Sequence, residues 1–346
     1  MAVFVGVCTT AGRADGVRAA PAVSTRSPIQ PPPALAARLQ VLGAGFDGQV
    51  GIAVEDVREG WVADYNGSIL RPQQSVSKLW VALAVFKTAD FGGLKLSDPV
   101  LVRRNDMSVF NQPIQKLLGK DGYDTTIDGL LVGAIAQSDN AANDILVRRL
   151  GGSATVRRAL ADARIMGIRT GPEEHVLQSK IAGVRWRPEY SFGRAFWAAR
   201  DLVALDVRRA KLNAYVADAD DGATPLGLVD GLSRLQRGEL LSSPSTARFL
   251  QILASTETGP MRLKAGLGSG WSIAHKTGTG QDLGDLSTGY NDVGLLTAPD
   301  GHTYAVAVMI GATRRPIPER QALMADVARA VVAQHDGRQG PAAMAR

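Results

Sequence analysis

Apolar positions recur at helical spacing over Ala34–Leu42 and then shift to strand length in Gln49–Glu55 and Trp61–Tyr65. Arg58-Glu59-Gly60 predicts the turn between those two strands. Leu79–Ala89 predicts a strongly apolar helix. From Thr125 to about Leu253 the pattern is mostly helical, broken by polar and Gly/Pro-rich loops. Thr125 with Asp128 predicts a capping box ahead of Leu130-Leu131-Val132. The period then returns to strand in Trp271–Gly280, Asn291–Ala298 and Tyr304–Gly311, with Pro299-Asp300-Gly301 as a hairpin turn and Glu319–Ala333 as a closing amphipathic helix. Helix, strands, a long helical insert, strands, helix: this order predicts an α/β fold of the α+β type. One antiparallel sheet is expected, with the terminal helices on one face and an all-helical subdomain on the other. The expected divisions are a leader and Pro-rich linker at 1–33, a sheet subdomain at 34–70 and 259–334, a helical subdomain at 71–258, and a tail at 335–346.

Composition removes several function classes. Of 346 residues, 45% are hydrophobic and 21% charged, which excludes a disordered chain. The net charge is +6, but residues 1–40 hold an excess of three positive charges and 335–346 an excess of one. The body is nearly neutral and carries no Lys/Arg stripe with interleaved aromatics, so a nucleic-acid partner is not expected. Cys8 is the single cysteine, so no intrachain disulfide can form. His175, His275, His302 and His335 lack metal-ligand spacing, and no metal is expected. Gly43-Ala44-Gly45-Phe46-Asp47-Gly48 matches a dinucleotide fingerprint, but a helix precedes it and a strand follows. That inverts the context pyrophosphate binding needs, and no cofactor is expected. Likewise Gly268-Ser269-Gly270 has the wrong flanks for a nucleophile elbow.

At the N-terminus, Met1–Cys8 is a short apolar run followed by small and polar residues, with Ala-rich sites near Ala14 and Ala19-Ala20. It reads as an export leader without the usual basic start, implying a periplasmic or secreted protein. Ser27–Pro33 reads as a stiff linker. No later apolar run reaches the length of a membrane span.

Three short motifs carry the candidate chemistry. Ser75-Val76-Ser77-Lys78 precedes the apolar helix, and i, i+3 spacing places the Ser75 hydroxyl beside the Lys78 amine. A serine becomes a nucleophile when a neighbouring base takes its proton, and a lysine is such a base when burial and nearby positive charge lower its pKa. The plainer reading is an N-cap serine with an exposed lysine. Ser138-Asp139-Asn140 lies between two helical runs. Ser138 either caps the helix starting at Ala141 or relays a proton to a leaving nitrogen, with Asn140 offering its amide to a substrate carbonyl and Asp139 bracing the loop. Lys276-Thr277-Gly278-Thr279-Gly280 lies on a predicted strand whose edge can pair with an extended ligand. Gly278 and Gly280 permit close backbone approach, Lys276 and Thr277 suit a carboxylate, and the Thr279 and Ser75 N–H groups suit an oxyanion. Each motif alone has a structural explanation. Together, S-x-x-K, S-D-N and K-T-G form the signature of penicillin-recognising serine enzymes.

The chain thus resembles the class A serine β-lactamases, and the likeness extends beyond the triplets. It includes Thr125-Thr126-Ile127 through Leu150-Gly151-Gly152, Asp221-Gly222-Ala223-Thr224-Pro225, Gly238-Glu239-Leu240-Leu241-Ser242, and Thr258-Gly259 through Gly280, within residues 36–334. The resemblance implies a β-lactamase/transpeptidase-like fold and a monomer acting on a small β-lactam. Ser75 would be the acylated nucleophile, Lys78 would assist its deprotonation, and Ser138 would protonate the lactam nitrogen. Asn140, Lys276, Thr277, Gly278 and Thr279 would bind substrate.

One departure stands out. The family's active-site loop carries Glu-x-x-Leu-Asn, whose glutamate activates the deacylating water, and that motif is not found here. Around Arg185–Ser191, Arg187 stands where the glutamate is expected and Ser191 where the asparagine is expected, with Glu189 two residues later. Glu189 is therefore the first candidate, and Glu173 or Glu174, nearer the usual distance from S-D-N, are the alternatives. The extended loop, about 165–221, is longer than in the family. Its aromatics Tyr190, Phe192, Phe196 and Trp197 read as packing or as a pocket wall. Loss of the base would cost about 10²–10⁴ in deacylation rate. The sequence therefore leaves open a D-Ala-D-Ala peptidase or esterase-like hydrolase, and a penicillin-binding module that deacylates slowly.

Overall fold

A computed structural model describes residues 1–3, 6 and 29–339; Cys8 and most of the leader, and positions 340–346, lie outside the described residues. Helix α1 (Pro33–Gly45) opens with a proline at its first position, where the missing N–H costs nothing, so the expected linker ends one residue early. Strands β1 (Gly48–Asp56) and β2 (Val62–Tyr65) follow as a hairpin. The Asp56 carboxylate accepts from the Arg58 and Glu59 N–H groups, and Gly60 takes a left-handed φ of 79°. After the short β3 (Arg71–Pro72), a 3-10 turn over Gln74–Ser77 leads into α2 (Lys78–Asp90). Next come β4 (Pro99–Val102) and β5 (Tyr123–Thr126), which pair with each other.

The helical block comprises α3 (Ile127–Ala136), α4 (Asn140–Arg149), α5 (Ser153–Asp162) and α6 (Glu174–Ala182). It continues through α7 (Ala195–Asp201), α8 (Leu205–Ala217), the two-residue β6 (Gly222–Ala223), α9 (Pro225–Gln236) and α10 (Ser243–Ala254). The cap of α3 is Thr126, whose Oγ1 accepts from the Gly129 N–H at 3.1 Å; the expected Thr125 lies inside β5. The segment expected as an extended loop at about 165–221 instead carries three α-helices. The chain closes with β7 (Ser272–Thr279), β8 (Asp282–Leu283), β9 (Leu286–Thr297), β10 (Thr303–Thr313) and α11 (Ile317–Gln339). The last helix therefore runs into the stretch expected as a tail.

The main sheet is antiparallel, in the order β2-β1-β10-β9-β7, with β8 paired to β9. It is buried on both faces. In β10, Tyr304, Val306, Val308 and Ile310 face a core shared with α1 and α11, through residues such as Leu39 and Met324. Ala305, Ala307 and Met309 face the helical block. This two-residue alternation is why β10 reads as a continuous apolar run. Strand β7 ends the sheet, and its free edge faces the helical block where the three motifs meet.

Among the described residues, no helix is long and apolar enough to cross a membrane, and no group of His, Cys, Asp or Glu is placed to hold a metal ion. All four histidines lie beside carboxylates instead: His175 by Asp144, His275 by Asp292, His302 by Asp56 and His335 by Asp300.

Candidate active site

Lys78 is fully buried at the start of α2, and its Nζ lies 3.1 Å from Ser75 Oγ. The same nitrogen reaches Ser138 O at 2.8 Å, Asn140 Oδ1 at 2.6 Å and Ser138 Oγ at 3.4 Å. Burial lowers the Lys78 pKa, while Glu174, Asp139 and Asp144 pull it back up. Of the two expected causes, burial and nearby positive charge, burial drives the shift, and the charges acting on Lys78 are carboxylates that oppose it. A neutral amine keeps two hydrogens, enough for Ser138 O and Asn140 Oδ1, and leaves its lone pair toward Ser75.

Asp139, rather than Ser138, caps α4: its Oδ1 accepts from the Ala142 N–H at 2.9 Å and its Oδ2 from the Ile114 N–H at 2.6 Å. That bracing holds Ser138 at φ +57° and aims Asn140 at Lys78. Asn140 Nδ2 also donates to Val109 O at 2.7 Å. On the strand side, the buried Lys276 donates to Ser138 Oγ at 2.9 Å, so Ser138 bridges the two lysines. The Lys276 pKa falls well below normal, first through burial and then through the charges of Lys78 and Arg262. Thr277 Oγ1 shares a hydrogen bond with Thr258, and Thr279 is exposed on the free edge of β7. A Cβ at Gly278 would stand 2.3 Å from Gln73 O, so only glycine lets β7 approach the nucleophile turn.

The three candidate carboxylates have different fates. Glu189 sits on a 3-10 turn with 61% of its side chain exposed, near Arg187. Glu173 is partly exposed beside Arg148 and His175. Glu174 is buried, and Lys78 is the strongest charge acting on it, with Lys276 also contributing. Burial raises its pKa and those two cations oppose the rise. The geometry therefore brings Glu174 to the motif cluster and leaves Glu189, the first candidate, outside it.

Glu174 is positioned from afar. Asp144 of α4 accepts from the Glu174 N–H at 2.6 Å and from the His175 N–H at 3.3 Å, supplying from another helix the cap that α6 lacks locally. Gln178 donates to Glu174 Oε1 at 2.8 Å and to Gln74 Oε1 at 2.7 Å, tying that carboxylate to the residue before Ser75. Gln281 in turn donates to Gln178 Oε1 at 2.9 Å. Gln178 escaped the sequence reading, although Glu174-His175-Val176-Leu177-Gln178 departs from Glu-x-x-Leu-Asn by one methylene. Gln74 is itself held at φ +54°, its N–H donating to Asp221 Oδ2 at 2.7 Å while Tyr215 donates to Asp221 Oδ1 at 2.9 Å. Burial without a cation partner raises the Asp221 pKa to about 7. Arg262, quoted only within the resemblance, is buried behind β7 and donates to Gly278 O at 3.0 Å and Thr279 Oγ1 at 2.6 Å.

A polarised serine, two lysines of lowered pKa, a bridging hydroxyl and a buried carboxylate are parts for acyl transfer followed by hydrolysis. Comparison with known proteins agrees. The beta-lactamase enzyme family matches residues 34–335. The beta-lactamase VEB-1 of Pseudomonas aeruginosa is 24% identical over 281 residues, spanning 81% of this chain and 83% of that protein. The extended-spectrum beta-lactamase PER-1 of the same organism is 27% identical, spanning 74% and 73%. Among solved structures, a beta-lactamase from Chitinophaga pinensis superposes with a TM-score of 0.73 at 25% identity, covering 87% of this chain and 99% of that one. With three motifs converging on one buried cluster and a family match across nearly the whole described body, the chain belongs to the beta-lactamase enzyme family and has the class A fold.

Proposed function

We propose that this protein hydrolyses the amide of a β-lactam through an acyl-enzyme on Ser75. The observation that carries the reading is Lys78 Nζ, placed between Ser75 Oγ, Ser138 and Asn140 in a buried site. The Lys78 amine takes the Ser75 proton as Oγ bonds to the lactam carbonyl carbon. The Ser75 and Thr279 N–H groups hold the resulting oxyanion. The carbon–nitrogen bond then breaks as the nitrogen takes a proton from Ser138 Oγ, which recovers one from Lys78. Lys276, with Arg262 behind it, supplies positive potential for the substrate carboxylate. Glu174 takes a proton from the water that attacks the ester carbon, and passes it to Ser75 Oγ as the carbon–Oγ bond breaks and the ring-opened acid leaves. Asn140, Thr277, Gly278 and Thr279 line the substrate along β7 and α4. The same reading takes the protein as a monomer acting in the periplasm or outside the cell.

The test is a purified-protein assay with a chromogenic cephalosporin. Sustained turnover is expected. A burst of one equivalent followed by silence assigns a penicillin-binding module, and hydrolysis of a D-Ala-D-Ala peptide without lactam turnover assigns a peptidase.

A further inference from the structure

The residues between α6 and α8 form a second wall that the mechanism does not use. Their first half is fastened to the loop ahead of Ser138. Gln112 Nε2 donates to Ser191 O at 2.7 Å, Ser191 Oγ donates to Met107 O at 3.0 Å, and the Arg104 guanidinium lies 3.7 Å from the Phe192 ring centre. Helix α7 then packs on Phe110, which holds φ +63°. Trp197 stacks on the Phe110 ring at 4.9 Å and 22°, and Phe196 meets it edge-on at 4.9 Å. Phe110 directly precedes Asn111, whose amide donates to Ser138 O at 3.0 Å and whose carbonyl accepts from the Asn140 N–H at 2.8 Å. At its other end α7 reaches the strand wall: Arg200, stacked over Trp197 at 4.5 Å, donates to Asp282 O at 3.5 Å. Asp282 follows Gln281, the residue that buttresses Gln178 and, through it, Glu174.

We propose that α7 is a fixed strap joining the two walls of the cleft, and that it determines specificity by limiting the acyl side chain a β-lactam can carry. The inference rests on the hydrolase reading above. On this proposal, a lactam seated with its carbonyl between the Ser75 and Thr279 N–H groups and its side-chain amide on Asn140 would send that side chain outward between Phe110 and Asp282. Those are the two residues the strap ties together. A side chain larger than the fixed gap must break the Trp197 stack or the Arg200 bond, whereas a substrate without an acyl group meets neither.

The experiment compares Arg200→Ala and Trp197→Ala with the unaltered chain on two penicillins that share one nucleus. One is 6-aminopenicillanic acid, which has no acyl group; the other is the bulky acylureido-penicillin piperacillin. Opening the strap is expected to raise kcat/KM for piperacillin about 10-fold and to change that for 6-aminopenicillanic acid less than about 2-fold. Arg200→Ala removes the tie to Asp282, the cation contact and the 4.0 Å approach to Asp201 but leaves the Trp197–Phe110 stack, so it keeps the test valid should Trp197→Ala fail to fold. Equal changes for both substrates, no change for either, or a loss confined to piperacillin overturns the strap alone. No turnover of either penicillin by the unaltered protein overturns the hydrolase reading, and the strap with it.

Discussion

Ser75, Lys78 and Ser138 each sit in a short motif that local rules shape before the motifs meet across the chain, whereas Glu174 is placed by residues far away in the chain. The first group rests on an i, i+3 spacing, a helix cap at Asp139 and a glycine at 278, all features of a few consecutive residues. Glu174 depends on Asp144, 30 positions back, and on a Gln178 amide that reaches Gln74, 104 positions back. Local rules read the first arrangement and cannot read the second. The contrast also has an energetic side. The motif cluster sits on a helix start and a sheet strand, which position side chains rigidly. Glu174 sits on a short helix whose start is held by a buried hydrogen-bond network.

The largest effects should fall on the locally built half. Ser75→Ala should reduce lactam turnover by about 10⁴-fold or more, because no other group in the cluster forms the acyl bond. Retention of turnover would dissolve the whole assignment. Glu174→Gln should lower kcat by about 10²–10⁴ and leave an acyl-enzyme detectable by mass spectrometry, since acylation on Ser75 does not need it. Glu189→Gln should change kcat less than about 2-fold, as expected of an exposed side chain. The reverse ranking would return the base to Glu189. The pH profile carries the same information. A carboxyl raised by burial regains its proton sooner as pH falls, so the decay of acyl-enzyme formed beforehand at neutral pH should slow when the pH is lowered, and Glu174→Gln should lose that dependence.

How much of this was legible follows the same division. The sheet, both terminal helices and the three motifs follow from periodicity and spacing, because each is a repeating or near-neighbour pattern. Even there the α3 cap was one residue out, since Thr125 and Thr126 carry the same chemistry and only the strand pairing of β5 decides between them. Glu174 is hard to single out from sequence for a different reason. Requiring asparagine after Glu-x-x-Leu hid Gln178, whose longer amide serves the same acid while also reaching Gln74. The strap was invisible as a strap: Tyr190, Phe196 and Trp197 announce packing, but nothing near them in sequence names Phe110 as the partner.

The long-range half has a stability signature of its own. Asp221 is buried, bonded to Gln74 and Tyr215, and its pKa rises from 3.8 to about 7. The folded protein therefore holds a proton that the unfolded chain releases between those values. The stability that Asp221 contributes is fully present below about pH 4 and is lost as pH rises toward 7, by at most about 4 kcal/mol. Thermal melts at pH 5 and pH 8 should show the unaltered chain losing more than Asp221→Asn, which cannot ionise. Parallel losses would mean that the carboxyl is already ionised in the fold, and that the network linking Asp221 to the nucleophile turn is an ionic one.

The smallest effect tests the local half where it was misread. Thr126 Oγ1 satisfies the Gly129 N–H, one of the four donors that the first turn of α3 leaves without helical partners. Thr126→Ala should therefore cost about 1 kcal/mol, read as a melting point lower by about 2 °C in a chain of this size. Thr125→Ala removes no bond to the first turn of α3 and should cost measurably less. The buried face of α3, Leu130, Leu131, Ala134 and Ile135, stays packed in both variants, so kcat/KM should hold in each. Equal losses in the two variants would show that β5 pairing, and not the cap, sets where α3 begins, and the boundary would then belong with Glu174 among the features fixed from a distance.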